Sequence, residues 1–371
     1  MRNFEQVKRI VIKIGTSTLT TANGVNSEYI QTLAKQVARL IHAGRQVVIV
    51  SSGAIGMGAK QLAMQGPVTN MKLRQACAAT GQPLLMHEYH KAFSDAGLIV
   101  SQVLLTAEVL DNRRTYLNLR NAVETLLNLS VVPIVNENDC VSTDEIGTAF
   151  GDNDTLSALV ASKIDADLLI MLTDIDALYD KDPRKHTDAK AVPQVQEITD
   201  EIIKAAGKKG SDHSTGGMKT KLAAAKIAST AGCRMVLADG SGPDIIQRII
   251  EGEGVGTVFA AETQKLSNRA RWILHSKPEG TIFADEGAIK AIGKRKSLLP
   301  SGITGVEGTF SAGAVVMINT AAKAVVSLNS DELARVIGQH SDTIRNLLGS
   351  DRRGVVATPE DIVFLDNEKK G

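Results

Sequence analysis

Aromatic side chains are scarce. Trp, Tyr and Phe together make 3% of the 371 residues, and Trp occurs once. So few flat faces offer little for stacking single-stranded bases. An excess of one charge is also missing: 42 Lys and Arg face 41 Asp and Glu, for a net charge of +1. A near-neutral chain projects no field that gathers nucleic acid or an anionic membrane surface, so any anion site has to be local. Cysteine is rare, and Cys77, Cys140 and Cys233 lie far apart with no CxxC. This excludes a disulfide framework and a thiolate zinc site, and it fits a reducing, cytoplasmic setting. No apolar run approaches the roughly 20 residues of a membrane helix. The opening MRNFEQVKRIVIKIG is charged and interrupted by Lys13, a poor signal peptide. The 7 His are not spaced as metal pairs or as bases for a serine, which sets a Ser–His–Asp triad aside. Neither GxxxxGK[ST] nor GxGxxG occurs.

What is present is ordinary globular material, 43% hydrophobic and 22% charged, in a chain long enough for two domains. Short apolar, β-branched runs read as buried strands at 9–14, 46–50, 98–105, 131–136, 167–174 and 234–239. Helical patterns lie between them. From Ser27 to Ala43, Ile30, Leu33, Ala34, Val37 and Leu40 line one face, Asn26 or Ser27 can cap the start, and Gly44 can end it. Strand–helix alternation predicts an α/β fold with a mainly parallel sheet sandwiched by helices, whose sites gather at the carboxyl ends of the strands. From Pro278 onward the strands are short and glycines frequent, with one helical pattern from Asp331 to Leu348. The expected division is a catalytic domain over 1–272 and a small β-rich domain over 278–365.

Several segments carry polar chemistry. STGGMKTKLAAAK, 214–226, places Lys219 and Lys221 at the start of a helix whose partial positive charge opposes them, and no carboxylate occurs from Ser214 to Ala231. An anion at that helix start would turn the penalty into attraction. Lys13 sits inside the apolar strand RIVIKI, followed by Gly15. It is either an edge lysine facing solvent or a cation aimed at a phosphate, with glycine letting backbone amides approach. SSGAIGMG, 51–58, is a second turn able to offer N–H groups to an anion, or simply a turn. NENDC, 136–140, and FGDNDTLSA, 150–158, set Glu137, Asp139, Asp152 and Asp154 beside Asn136, Asn138 and Asn153. Carboxylates beside amides suit holding Mg2+ or gripping an ammonium group; Asp152 or Asp154 also suits a helix cap.

Taken together and in order, VIKIGTSTL, VIVSSGAIGMG, PIVNEND, FGDNDTLSA, LTDIDALYDKDPR and STGGMKTK resemble the amino-acid kinase family. They are most similar to its branch that phosphorylates the side-chain carboxylate of glutamate and opens proline biosynthesis. The glycine-punctuated tail resembles a PUA domain. The resemblance implies that Lys13 and Lys221 hold the ATP phosphates through transfer and that Asp154 orients them. It implies glutamate binding by Ser52, Asp139 and Asn153 with Gly53 and Ala54 nearby. An ATP site is implied at Lys13, Gly15, Thr173, Asp174, Thr215, Gly216, Gly217, Met218, Lys219, Thr220 and Lys221. ATP and Mg2+, a homo-oligomer, proline as feedback inhibitor and glutamyl-phosphate reductase as partner come with the same resemblance. Ala177 departs from it, standing where glycine is frequent in the adenine loop.

The chemistry agrees independently. A glutamate side chain is already ionised at neutral pH and needs no general base. What transfer requires is positioning and charge neutralisation. Two rivals remain: a kinase of the same fold acting on another acid or a nucleotide, and an RNA-binding protein using GKRKS, 293–297, and DRR, 351–353. The plain reading of those basic runs is a solvated face.

Overall fold

Arg9–Ile14 (β1) shows why the sheet is buried on both sides: five of its six residues are buried, and the strand has neighbours on both edges. In this computed structural model, residues 2–21, 24–141, 153–205, 217–262, 266–340 and 354–365 are described. The other main-sheet strands are Gln46–Val50 (β2), Val100–Leu105 (β3), Val132–Glu137 (β4), Leu168–Thr173 (β5), Gln194–Val195 (β6), Arg234–Asp239 (β7) and Thr257–Phe259 (β8). Their order is β6-β8-β7-β5-β1-β2-β4-β3. Every pairing from β7 to β3 is parallel, and β8 alone runs antiparallel to its neighbour β7. This is the mainly parallel sheet expected. Parallel strands covered on both faces read as continuous apolar runs, which made six of them visible in the sequence to within a residue or two, while the short β6 and β8 were not read.

Helices cover both faces. Ser27–His42 (α1), Ala54–Gln61 (α2) and Met71–Asp95 (α3) pack on the face carrying Ile10, Ile12 and Ile14. Arg113–Asn128 (α4), Asn153–Lys163 (α5) and Met218–Thr230 (α6) pack on the face carrying Val11. The α1 helix follows its pattern: the Asn26 side chain accepts from the Tyr29 N–H, and Gly44, at φ 78°, turns the chain away. The α3 helix continues through Pro83.

The chain divides into two compact units, Met1–Leu110 with Arg114–Lys265, and Asp111–Arg113 with Leu266–Gly371. The sequence pattern changes later, at Pro278; the helix Asn268–His275 (α7) falls in the second unit. That unit holds a five-stranded sheet of Thr281–Ala284 (β9), Ile303–Glu307 (β10), Val315–Ile318 (β11), Ala322–Val325 (β12) and Ile362–Phe364 (β13), in the order β10-β9-β11-β12-β13. Its own core includes Ile282, Phe310, Val316, Ile318 and Leu333. One expectation fails here. The helix read over Asp331 to Leu348 spans Ser330–Val336, closed at its start by an Asn329–Glu332 capping box. Ile337 leaves helical geometry at ψ 130° and Gly338 is left-handed, so this helix ends there. Residues 341–348 lie outside the described residues.

Candidate functional site

Side chains alternate along a strand, so Ile10, Ile12 and Ile14 on one face send Val11 and Lys13 to the other. Because β1 is flanked by β2 and β5, the edge-lysine alternative is excluded. Lys13 is only 5% exposed. Its ammonium lies 2.6 Å from Asp154 Oδ1, in the first turn of α5. The other oxygen of the same fully buried carboxylate lies 3.0 Å from the Lys221 ammonium, on the first turn of α6. Thr220 Oγ1 stands 2.9 Å from that oxygen and 2.8 Å from the Gly217 carbonyl. Asp154 is therefore a bridge between two cations as well as a residue near a helix start.

Among the described residues, two ammonium groups share one carboxylate in a buried place, a local surplus of one positive charge. Burying a charge without compensation costs several kcal/mol, so the trio is poised to take an anion. The α6 start adds to this. Gly217 is its N-cap with no side-chain cap, and its first turn has no acidic residue. The first N–H groups of a helix lack internal partners. Met218 and Thr220 are half-buried here, while Lys219 is exposed. Thr215 and Gly216 lie outside the described residues. Gly15 follows β1, its N–H donating to the Leu172 carbonyl at 3.1 Å. A side chain there would begin 3.9 Å from the Lys13 ammonium nitrogen.

Beside the cations is a neutral polar cluster. Asn153, next to Asp154 on α5, donates from Nδ2 to Ser52 Oγ at 2.8 Å and Asn136 Oδ1 at 3.1 Å, and contacts the Ser51 carbonyl. Adjacent residues of one helical turn thus join the two halves of the site. Ser51 and Ser52 follow β2, and the Ser51 N–H donates to Val135 on β4. Gly53, at φ 97°, occupies the left-handed region that admits glycine freely, and Ala54 opens α2. Asn136 Nδ2 donates to Gln82 Oε1 at 2.9 Å, and Ser51 Oγ lies 3.0 Å from the Tyr89 hydroxyl. Burial pushes the Tyr89 phenol up, well above its ordinary value. Burial likewise raises the Asp139 carboxyl, with the Arg74 charge opposing. Ser51, Gln82 and Tyr89 were not among the residues singled out from the sequence. Gln82 and Tyr89 lie on α3, distant in sequence from every motif they serve, and only Ser51 stood inside one.

Thr173 ends β5, two residues beyond the Met171 that pairs with Lys13, and donates to Asp174 Oδ1 at 2.9 Å; Thr173 is buried and Asp174 exposed. Further on, Tyr179 donates to Asp176 Oδ2. Ala177 is buried with φ outside the left-handed region, so its methyl group causes no backbone strain there. Asp152 lies outside the described residues, as does the 142–150 stretch before it. A cavity of about 580 Å³ lined by Arg2, Phe4, Arg39 and Arg45 precedes the starts of β1 and β2, away from this site. The Arg2 guanidinium is spent there on the carbonyls of Glu253, Val255, Pro193 and Gly256. Among the described residues, no three His, Cys, Asp or Glu side chains converge as a metal cage.

The amino acid kinase family pattern matches residues 8–239 and the PUA domain pattern residues 280–348. Glutamate 5-kinase of Methanosarcina mazei is 46% identical over 98% of this chain and 97% of its own length. Glutamate 5-kinase of Thermoanaerobacter sp. (strain X514) is 43% identical over 98% and 99%. Carbamate kinase from Giardia lamblia bound to AMP-PNP shares the fold, with a TM-score of 0.50 at 16% identity, covering 70% of this chain and 100% of that one. On the match at 8–239 and the near full-length similarity to curated relatives, this chain belongs to the amino acid kinase family and carries a C-terminal PUA domain.

Proposed function

We propose that this chain transfers the terminal phosphoryl group of ATP to the side-chain carboxylate of L-glutamate, forming L-glutamyl 5-phosphate, the opening step of proline biosynthesis. The observation that carries the reading is the buried Lys13–Asp154–Lys221 bridge, with its surplus positive charge, beside the Ser52–Asn136–Asn153 cluster. Full-length similarity to glutamate 5-kinases supports the choice of substrate.

In this reading a glutamate carboxylate oxygen attacks the γ-phosphorus. The new O–P bond forms as the bond to the β,γ-bridging oxygen breaks, and ADP leaves with the electron pair. No proton moves, so no general base is needed. Lys13 and Lys221 neutralise the equatorial oxygens of the transferring group, where charge is spread. Asp154 fixes both lysines, and the α6 start gives its free N–H groups to the phosphates. Ser52 and Asn153 receive glutamate, with Gly53 and Ala54 lining the turn and Asp139 gripping the ammonium group. Thr173, Asp174, Gly15 and residues 217–221 line the ATP side. Mg2+ would accompany ATP and supply further charge neutralisation on the phosphates. The same reading places the protein in the cytoplasm as a homo-oligomer under proline feedback. A reductase such as glutamyl-phosphate reductase would consume the labile acyl phosphate.

The test is ATP consumption across a panel of small acids, with hydroxylamine trapping the acyl phosphate. Glutamate should be the best acceptor and aspartate much poorer. Preference for aspartate or UMP would sink the assignment.

A further inference from the structure

The Ser51 carbonyl can only accept, so the Asn153 atom facing it is Nδ2, a donor. The same Nδ2 faces Asn136 at 3.1 Å, which makes that atom Oδ1. The remaining Asn136 atom is then Nδ2, and the Gln82 atom 2.9 Å from it must be Oε1. Amide orientations are ordinarily ambiguous. Here one backbone carbonyl fixes three of them in series, and the series ends on Gln82 Nε2 as a donor. That nitrogen is buried and meets no acceptor among the described residues. A dry, unused donor lowers stability, so packing alone would favour an apolar side chain at this position.

The location is set by tight helix packing. A Cβ on Gly81 would stand 1.9 Å from the Ala54 carbonyl oxygen, and one on Gly58 would stand 1.8 Å from that of Cys77. The two glycines press α2 and α3 together and bring Gln82 against the end of β4. Gln82 is 7% exposed and its Oε1 accepts from Asn136, so Nε2 is the one group it has to offer.

We propose that Gln82 is a specificity-determining positioning residue for the amino-acid acceptor. It locks the donor–acceptor sense of the Asn136–Asn153–Ser52 cluster and reserves one N–H donor for a carboxylate oxygen. The inference rests on the reading of that cluster as the acceptor site.

The test measures kcat, glutamate KM and ATP KM for wild type, Gln82→Met, Asn136→Ala, the double variant and Gln82→Glu. Gln82→Met should raise glutamate KM about tenfold, the scale of one lost hydrogen bond, with kcat and ATP KM within about twofold. The double variant should be no worse than Asn136→Ala, because Gln82 acts through Asn136. Gln82→Glu should raise glutamate KM further at pH 8, where an ionised carboxylate replaces the donor. If burial raises the introduced carboxyl into this range, its protonated form towards pH 6 again offers one acceptor and one donor, and its KM relative to wild type should fall. Wild-type KM in Gln82→Met, fully additive effects, or a wild-type glutamate KM for Gln82→Glu at pH 8 would each overturn the proposal. If melting shows that Gln82→Met does not fold, the glutamate KM of Gln82→Glu at pH 8 decides alone. If wild type prefers another acid, the functional reading fails separately, and the same series run with that acid judges Gln82.

Discussion

Replacing Asp154 with Asn tests the centre of the site, because the change keeps the shape and removes the charge. In wild type the carboxylate touches the Lys13 and Lys221 ammonium groups at 2.6 and 3.0 Å, and all three residues are at most 5% exposed. Without it, two buried like charges remain within reach of one another. At an effective dielectric of about 20 and a separation of about 5–8 Å, they repel by about 2–3 kcal/mol. Breaking a buried ion pair by removing one partner destabilises by about 3–5 kcal/mol, a range that already includes such an uncompensated charge. A helix cap lost at the same position would cost about 1 kcal/mol. The expected drop in Tm is therefore on the order of 10 °C, several times that of a lost cap. Because ATP phosphates would replace the missing negative charge, MgATP should raise the variant's Tm more than it raises that of wild type. The kcat should fall sharply, since neither lysine is then held in place. Thermal melts with and without MgATP, with kinetics on the same preparation, read all three effects. A loss near 1 kcal/mol with unchanged kcat would refute the reasoning and return Asp154 to a cap.

Further outcomes follow from the same geometry. Lys221→Ala should lower kcat by about a hundredfold or more, the scale of one transition-state donor, with little change in glutamate KM. Lys219→Ala, at an exposed position on the same turn, should be mild, and equal losses in the two variants would contradict the assignment. Asp139 must be ionised to grip an ammonium group, and burial raises its carboxyl pKa. Glutamate affinity should therefore weaken, as pH falls, at a higher pH than an ordinary aspartate would give, and Asp139→Asn should remove that limb from the KM profile. The raised pKa also means that native Asp139 binds protons the unfolded chain has released, so its contribution to stability falls as pH rises from the ordinary carboxylate value through the raised one. A chain ending at Lys265 should elute as a single folded species by size exclusion. One ending at Ser276 should aggregate more, because it keeps α7 but lacks Asp361 and Lys323, which meet Arg269, Leu274 and Ser276. Equal behaviour of the two would remove α7 from the second unit.

The sequence by itself determined six of the eight main-sheet strands and singled out Lys13 and Lys221 as candidate cations. β1, β2 and β7 came out at their observed bounds because strands covered on both faces must be apolar throughout, a local property. Lys13 stood out for the same reason, as a charge in a segment that otherwise excludes water. The sequence could not choose between an edge lysine and a buried one, nor between Asp154 as cap and Asp154 as bridge. Those choices depend on which strands flank β1 and on α5 and α6 meeting over the same sheet face, contacts between residues as far apart as Lys13 and Lys221. Gln82 shows the limit most clearly. It stands 54 positions from Asn136, on a helix with no polar periodicity to mark it. Its meaning comes from a hydrogen-bond sense passed from the Ser51 carbonyl through two other amides. A one-dimensional pattern records which side chains can donate and accept, and only the packed structure decides which of those capacities are used and which is left over.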